Sequence, residues 1–184
     1  MLEQAQALQT LQGQPDRSAA RAVLADWAAH AVDGRAKFWV SWRALQLRRK
    51  HEAMLSVAEY LPLEVRGAQA QQVVAFARRA GDAWLVVIAG RLYASIGRSA
   101  DRSADGTVGQ IPTPADWGDT AVVWPEGSVP AAAATGTAQA PWLEDAISGQ
   151  RHGLQAGCLM LAQVLAEFPV AALFGVLTHA DDPL

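Results

Sequence analysis

The hydrophobic period of this chain changes once, near residue 55, from about 3.6 to 2, which predicts an α+β fold with its helices first. Upstream, LEQAQALQTLQ at 2–12 is built of good helix formers, and Gly13 and Pro15 stop it. Asp16 can cap a second helix over 17–30, where Ala20, Val23, Leu24 and Trp27 recur at helical spacing. Asp33 can cap a third over 34–50. There Phe38, Trp42 and Leu45 make one apolar stripe, and Val40, Ala44 and Leu47 make a second beside it. A surface that broad suits a helix with more than one neighbour. Arg48, Arg49 and Lys50 fill its last turn, where cations complement the helix dipole.

Past residue 55 the pattern is that of strands. Leu61, Leu63 and Val65 alternate with Pro62, Glu64 and Arg66, and Pro62 assigns that strand to an edge or a strand start. The runs 71–78 and 83–89 flank Ala80-Gly81-Asp82, a hairpin signal. RSADRSADG at 98–106 is a tandem repeat of small and charged residues, expected in a flexible loop at about 93–116. DTAVVW at 119–124 reads as a strand ending at Pro125, and an Ala/Gly/Thr-rich loop follows over 128–141. Residues 154–167 fit a strand or a helix equally, and FPVAALFGV at 168–176 reads as a fully buried closing strand. The expected organisation is a helical segment over 1–54 and an antiparallel β-sandwich over 55–184.

Chemistry is sparse. Net charge is −3 with no basic block, so nucleic acid is not an expected partner. No stretch reaches the ~18 apolar residues of a membrane span, and MLEQAQALQTLQGQ lacks the basic and apolar regions of a secretory signal. A cytoplasmic protein is expected. The single cysteine, Cys158, excludes an intramolecular disulfide and a cysteine-based zinc site, and is expected to be a small core residue. His30, His51, His152 and His179 lack ligand spacing and are expected at the surface or at helix ends. Nucleophile-elbow, phosphate-loop, dinucleotide and zinc-protease motifs are absent. The adjacent pairs Glu144-Asp145 and Asp181-Asp182 are expected to be solvated rather than set across a pocket. No cofactor, metal or catalytic residue is predicted. Seven tryptophans remain. Trp42 and Trp84 lie on amphipathic elements and suit a core. Trp117, Trp124 and Trp142 lie beside loops, where stacking on sugar rings and burial are equally open.

The series DGRAKFWVSWRALQLRRKHEAM, EYLPLEVRG, VVAFARRAGDAWLVVIAGRL, WGDTAVVWPEG and LAEFPVAALFG, preceded by AARAVLADW, resembles the end of the maltooligosyltrehalose synthases of the α-amylase superfamily. The likeness runs over nearly the whole chain and is weakest at 93–116 and 128–152. It implies that 1–54 corresponds to the last helices of a (β/α)8 barrel and 55–184 to a C-terminal β-domain. It also implies a parent glucosylmutase that turns the reducing-end α-1,4 bond of a maltooligosaccharide into an α,α-1,1 bond. The aspartate nucleophile, glutamate acid/base and assisting aspartate of that superfamily lie on barrel strands with no counterpart here, so no catalytic residue carries over. A barrel needs at least ~200 residues, which this chain cannot hold beside its β-rich part. The chain is therefore expected to be a non-catalytic structural domain, with self-association through the exposed face of the helix at 34–50. The alternative is a stand-alone module that binds α-1,4-glucan.

Overall fold

In a computed structural model the described residues are 1–14, 16–93, 96, 112–125, 127–128 and 142–177. The helices come first: α1 (Leu2–Gln12), α2 (Ser18–Ala29), α3 (Arg35–Lys50) and α4 (Glu52–Val57). The N-caps of α2 and α3 are Arg17 and Gly34, one residue later than the expected Asp16 and Asp33, and neither makes a side-chain capping bond; the two aspartates serve the first turn from one position upstream. The Asp16 carboxylate accepts the Ser18 N–H at 2.9 Å, and Asp33 accepts the Arg35 N–H at 2.8 Å. One stripe of each of the first two helices is buried: Ala5 and Leu8 on α1, and Ala20, Leu24, Trp27 and Ala28 on α2.

The strands are β1 (Glu59–Pro62), β2 (Val65–Arg66), β3 (Val73–Ala80), β4 (Ala83–Gly90), β5 (Ala121–Val123), β6 (Trp142–Asp145), β7 (Arg151–Gly153), β8 (Cys158–Met160) and β9 (Val170–Val176). They form a six-stranded sheet, β1-β3-β4-β9-β6-β7, and a three-stranded sheet, β2-β5-β8. Among the described residues every strand pairing is antiparallel. One core lies between the sheets, where Trp84, Val86 and Ile88 meet Val122, Trp124 and Leu159. The Trp84 and Trp124 rings are 4.6 Å apart, and Trp117 is buried in the same cluster. A second core joins the helices to the opposite face of the larger sheet.

Several local expectations change. Residues 61–66 are not one strand. Pro62 ends edge strand β1, buried Leu63 turns inward, and Val65-Arg66 joins the other sheet. The ambiguous 154–167 holds both structures, β8 and then a short helix, Leu161–Val164. A one-turn helix, Pro114–Trp117, starts within the predicted loop at 93–116 and carries a capping box from Thr113 and Asp116. The repeat at 98–106 and nearly all of 128–141 lie outside the described residues.

Strand β9 explains its own composition. Ala171 and Leu173 enter the core between the sheets, while Ala172 is buried against the helices with Val170 packed beside it. Phe174, on the helical side, stacks at 3.6 Å on His51, just past the end of α3. The strand is covered on both faces as far as Gly175 and needs no polar alternation there, but Val176 at its end is 57% exposed, so the expectation of full burial fails at that residue. Gly175 is the exception that admits β6: a Cβ there would meet Leu143 Cδ2 at 2.7 Å and the Trp142 carbonyl at 2.8 Å.

Candidate functional site

The helices grip the sheet at the turn after β6, Asp145-Ala146-Ile147-Ser148-Gly149, and the composition of that turn explains the grip. Asp145 accepts four hydrogen bonds. Its Oδ1 takes the Ile147 N–H at 3.0 Å and the Ala172 N–H at 2.8 Å. Its Oδ2 takes the Ser148 N–H at 2.9 Å and the Ser148 hydroxyl at 2.6 Å. Asp145 is 1% exposed, so the expectation of a solvated Glu144-Asp145 pair fails for this member. The reason is that the turn curls its own amides onto the carboxylate.

The outward carbonyls are taken by side chains from three segments of the helical layer. Arg43 Nε donates to Ala146 O at 2.6 Å. Ile147 O accepts from Trp39 Nε1 at 3.0 Å and from Gln12 Nε2 at 2.9 Å. Arg17, just ahead of α2, donates to Ser148 O at 3.0 Å. The Ala146 and Gly149 amides donate to Ala172 O at 2.8 Å and Asp145 O at 2.7 Å. Each backbone group from Ala146 to Ser148 thus has a partner, as a buried turn requires. Gly149 takes φ +73°, and a side chain there would run into the Arg17 guanidinium.

Trp39 is the residue that sequence reasoning passes over. It is fully buried, meets Trp27 edge-on at 6.0 Å, and lies between the two stripes predicted for α3. Its own face continues through Arg43 and Gln46, so no apolar period marks it. The predicted stripe is only partly covered: Phe38 and Trp42 are half-buried, and Leu45 is 64% exposed.

Above the turn opens a cleft of about 580 Å³ between α1, α3 and the β6–β7 hairpin. Its walls carry three arginines, Arg17, Arg43 and Arg151, the amides of Gln9, Gln12 and Gln150, and one carboxylate, Glu144. Among the described residues none of the three guanidiniums forms an ion pair. Burial pulls the pKa of Arg43 below its ordinary value, and the nearby charges of Asp145 and Glu144 oppose that pull. Arg17 Nε is buried without a partner. Arg151 lies 3.8 Å over the ring of Trp142 at the rim.

The three predicted stacking residues part company here. Trp117 and Trp124 are core residues, 1% and 3% exposed, and offer no face to a sugar. Both flank loops in sequence, but their indoles fill the space between the sheets. Trp142 is 45% exposed, with Arg151 over its ring. Of the histidines, His30 caps the end of α2 at the surface, while His51 and His152 are half-buried, each with a buried, unpartnered Nε2. Burial lowers the pKa of both. His179 and the Asp181-Asp182 pair lie outside the described residues. Cys158 is half-buried on β8 rather than fully in the core. Among the described residues no group of three or more His, Cys, Asp or Glu is arranged to hold a metal, and no helix is long and apolar enough to cross a membrane.

No protein-family model matches the chain, and no curated protein matches it. Among solved structures it is similar to a point mutant of maltooligosyltrehalose synthase from Arthrobacter ramosus, at 25% identity and a TM-score of 0.47. The match covers 84% of this chain and 17% of that one, a distant and partial likeness. The chain thus spans about a sixth of the length of that enzyme.

Proposed function

We propose that this chain is a non-catalytic structural unit related to the C-terminal part of maltooligosyltrehalose synthases. In this reading 1–54 supplies the last helices of a barrel and 55–184 the β-domain that braces them. The observation that carries the proposal is the two-sidedness of α3. One side is fixed to the sheet through Trp39 and Arg43. The flank formed by Phe38, Trp42 and Leu45 stays half-covered, as suits a helix with a second neighbour. The order of sequence segments supports the same relationship. Retaining transfer between sugars needs two carboxyls about 5 Å apart across the substrate. The cleft offers Glu144 as its one carboxylate among the described residues. The pure chain should therefore form no trehalose-ended product from maltopentaose, and detection of such a product by chromatography would sink the proposal. Through the open flank of α3 the chain should self-associate in a concentration-dependent way, and Leu45→Glu should shift it toward monomer in sedimentation velocity. A wild-type chain that stays monomeric at all concentrations would count against a missing neighbour.

The exposure of Trp142 favours a second reading, a module that touches α-1,4-glucan. Maltoheptaose should then change tryptophan emission saturably, and Trp142→Ala should abolish the change. A flat titration leaves the structural role alone standing.

A further inference from the structure

We infer that the cleft between α1, α3 and the β6–β7 hairpin is a binding site for a small phosphorylated polyol, held through its anionic group. Arg17, Arg43 and Arg151 converge on one cavity, with Glu144 as the one carboxylate on its wall among the described residues. Among the described residues none of the three is ion-paired, as is also true of Arg78, Arg79 and Arg91, whose guanidiniums rest on backbone carbonyls; what sets the three apart is that they face one cleft. Three guanidiniums gathered in a partly enclosed space are offset only in part by Glu144 and by Asp145 beneath the turn, and an anion relieves the remaining cost.

Geometry supplies the second part. Each arginine is held by a contact that leaves donors over. Arg17 uses one terminal nitrogen on Ser148 O, which leaves its other terminal nitrogen for a ligand, while its Nε is sealed from the cleft. Arg43 uses Nε on Ala146 O and one terminal nitrogen on Gln46. Arg151 rests on the Trp142 ring, a contact that restrains the guanidinium without consuming an N–H. Pre-positioned forks of this kind match the oxygens of a phosphate better than a point charge would. The remaining wall is amide. Gln9 and Gln150 line the cleft, and each offers a donor and an acceptor to hydroxyl groups. Apolar walls are scarce, which disfavours a greasy ligand. The volume, about 580 Å³, is within the range of small-metabolite sites. A ligand seated there would touch Arg17, Arg43 and Gln12, three of the side chains that hold the turn, so binding should also tighten the helices against the sheet. The inference does not depend on the proposed family relationship, and its test reads neither transfer activity nor self-association.

The test is titration of the whole chain with glucose 6-phosphate, followed by calorimetry and by the Nε–Hε resonances of its arginines. Saturable binding is expected, with shifts at Arg17, Arg43 and Arg151, and it should weaken with added salt. Arg151 is exposed on β7 and holds no part of the turn, so Arg151→Gln should fold normally and bind about tenfold more weakly, the loss of one charged fork. Glu144→Gln, which removes the opposing charge, should bind several-fold more tightly, by roughly the reverse of a like-charge penalty. Two controls separate the parts of the ligand: neutral glucose should not bind, and inorganic phosphate should bind more weakly than the sugar phosphate. The inference fails if no saturable response appears up to about 20 mM, well beyond ordinary small-ligand affinity. It also fails if glucose binds as well as its phosphate, if free phosphate binds as well as the sugar phosphate, or if Arg151→Gln changes nothing.

Discussion

Asp145→Asn should destabilise this protein about as much as Asp145→Ala, although asparagine is nearly the same size and polar. The carboxylate receives only donors: three backbone amides and the Ser148 hydroxyl. Alanine removes the acceptors and leaves three buried N–H groups, each costing about 1–3 kcal/mol when unsatisfied. Water entering the vacated space can serve one or two of them, and the desolvation cost of a buried charge is relieved. The net loss expected is about 3–5 kcal/mol, a large part of the 5–15 kcal/mol typical of a domain. Asparagine keeps one oxygen for the Ile147 and Ala172 amides, but turns an NH2 group toward the Ser148 N–H, where donor meets donor, and forces the Ser148 hydroxyl to give up its bond as a donor. Its rescue by the first pair is offset by that conflict, so about 3 kcal/mol should still be lost. Urea unfolding followed by tryptophan emission gives both values from the shift in midpoint at constant slope. If Asp145→Asn unfolds within about 0.5 kcal/mol of the wild type, the acceptor account of the turn is wrong.

Trp39→Phe should cost only about 1–2 kcal/mol, because Gln12 still donates to Ile147 O, whereas Trp39→Ala should cost about 3–5 kcal/mol through the cavity; urea midpoints separate the two. Stability should also fall as pH drops below 6.5, the ordinary imidazole value. Burial lowers the folded-state pKa of His51 and His152, with Lys50 adding to the effect at His51 and Asp145 opposing it at His152. Above 6.5 both rings are neutral in both states and nothing is lost. Below it the unfolded chain takes up protons first, and the loss grows until the pH passes the folded values. The urea midpoint at pH 5 should therefore lie below that at pH 7.5, and His51→Gln combined with His152→Gln should flatten the difference.

Periodicity carried the fold because most elements here bury a regular stripe or an unbroken run. The three long helices, the β3–β4 hairpin and the apolar closing strand all follow from local spacing. The split of 61–66 between two sheets was not legible, since alternation along a run says nothing about which partner each half takes. The fate of the tryptophans was legible only in part. A loop-side position leaves an indole free to turn inward, and Trp117 and Trp124 did while Trp142 did not. The contact that joins the layers was invisible for a different reason. It is made of one indole, two arginines and a glutamine meeting backbone carbonyls more than 100 positions away. Polar groups that serve distant backbone leave no period, and an acidic residue about to be buried by its own turn looks like any solvated one.

Strand β9 is inserted between β4 and β6, yet it follows both in the chain, and it lends a wall to each of the two cores. Neither core is complete without residues 170–176, so the loss of chain entropy in bringing distant segments together is expected to precede much of the burial that offsets it. Helices and sandwich, so different in pattern along the sequence, share this one strand as a wall, and a single unfolding transition for both layers is the expected outcome.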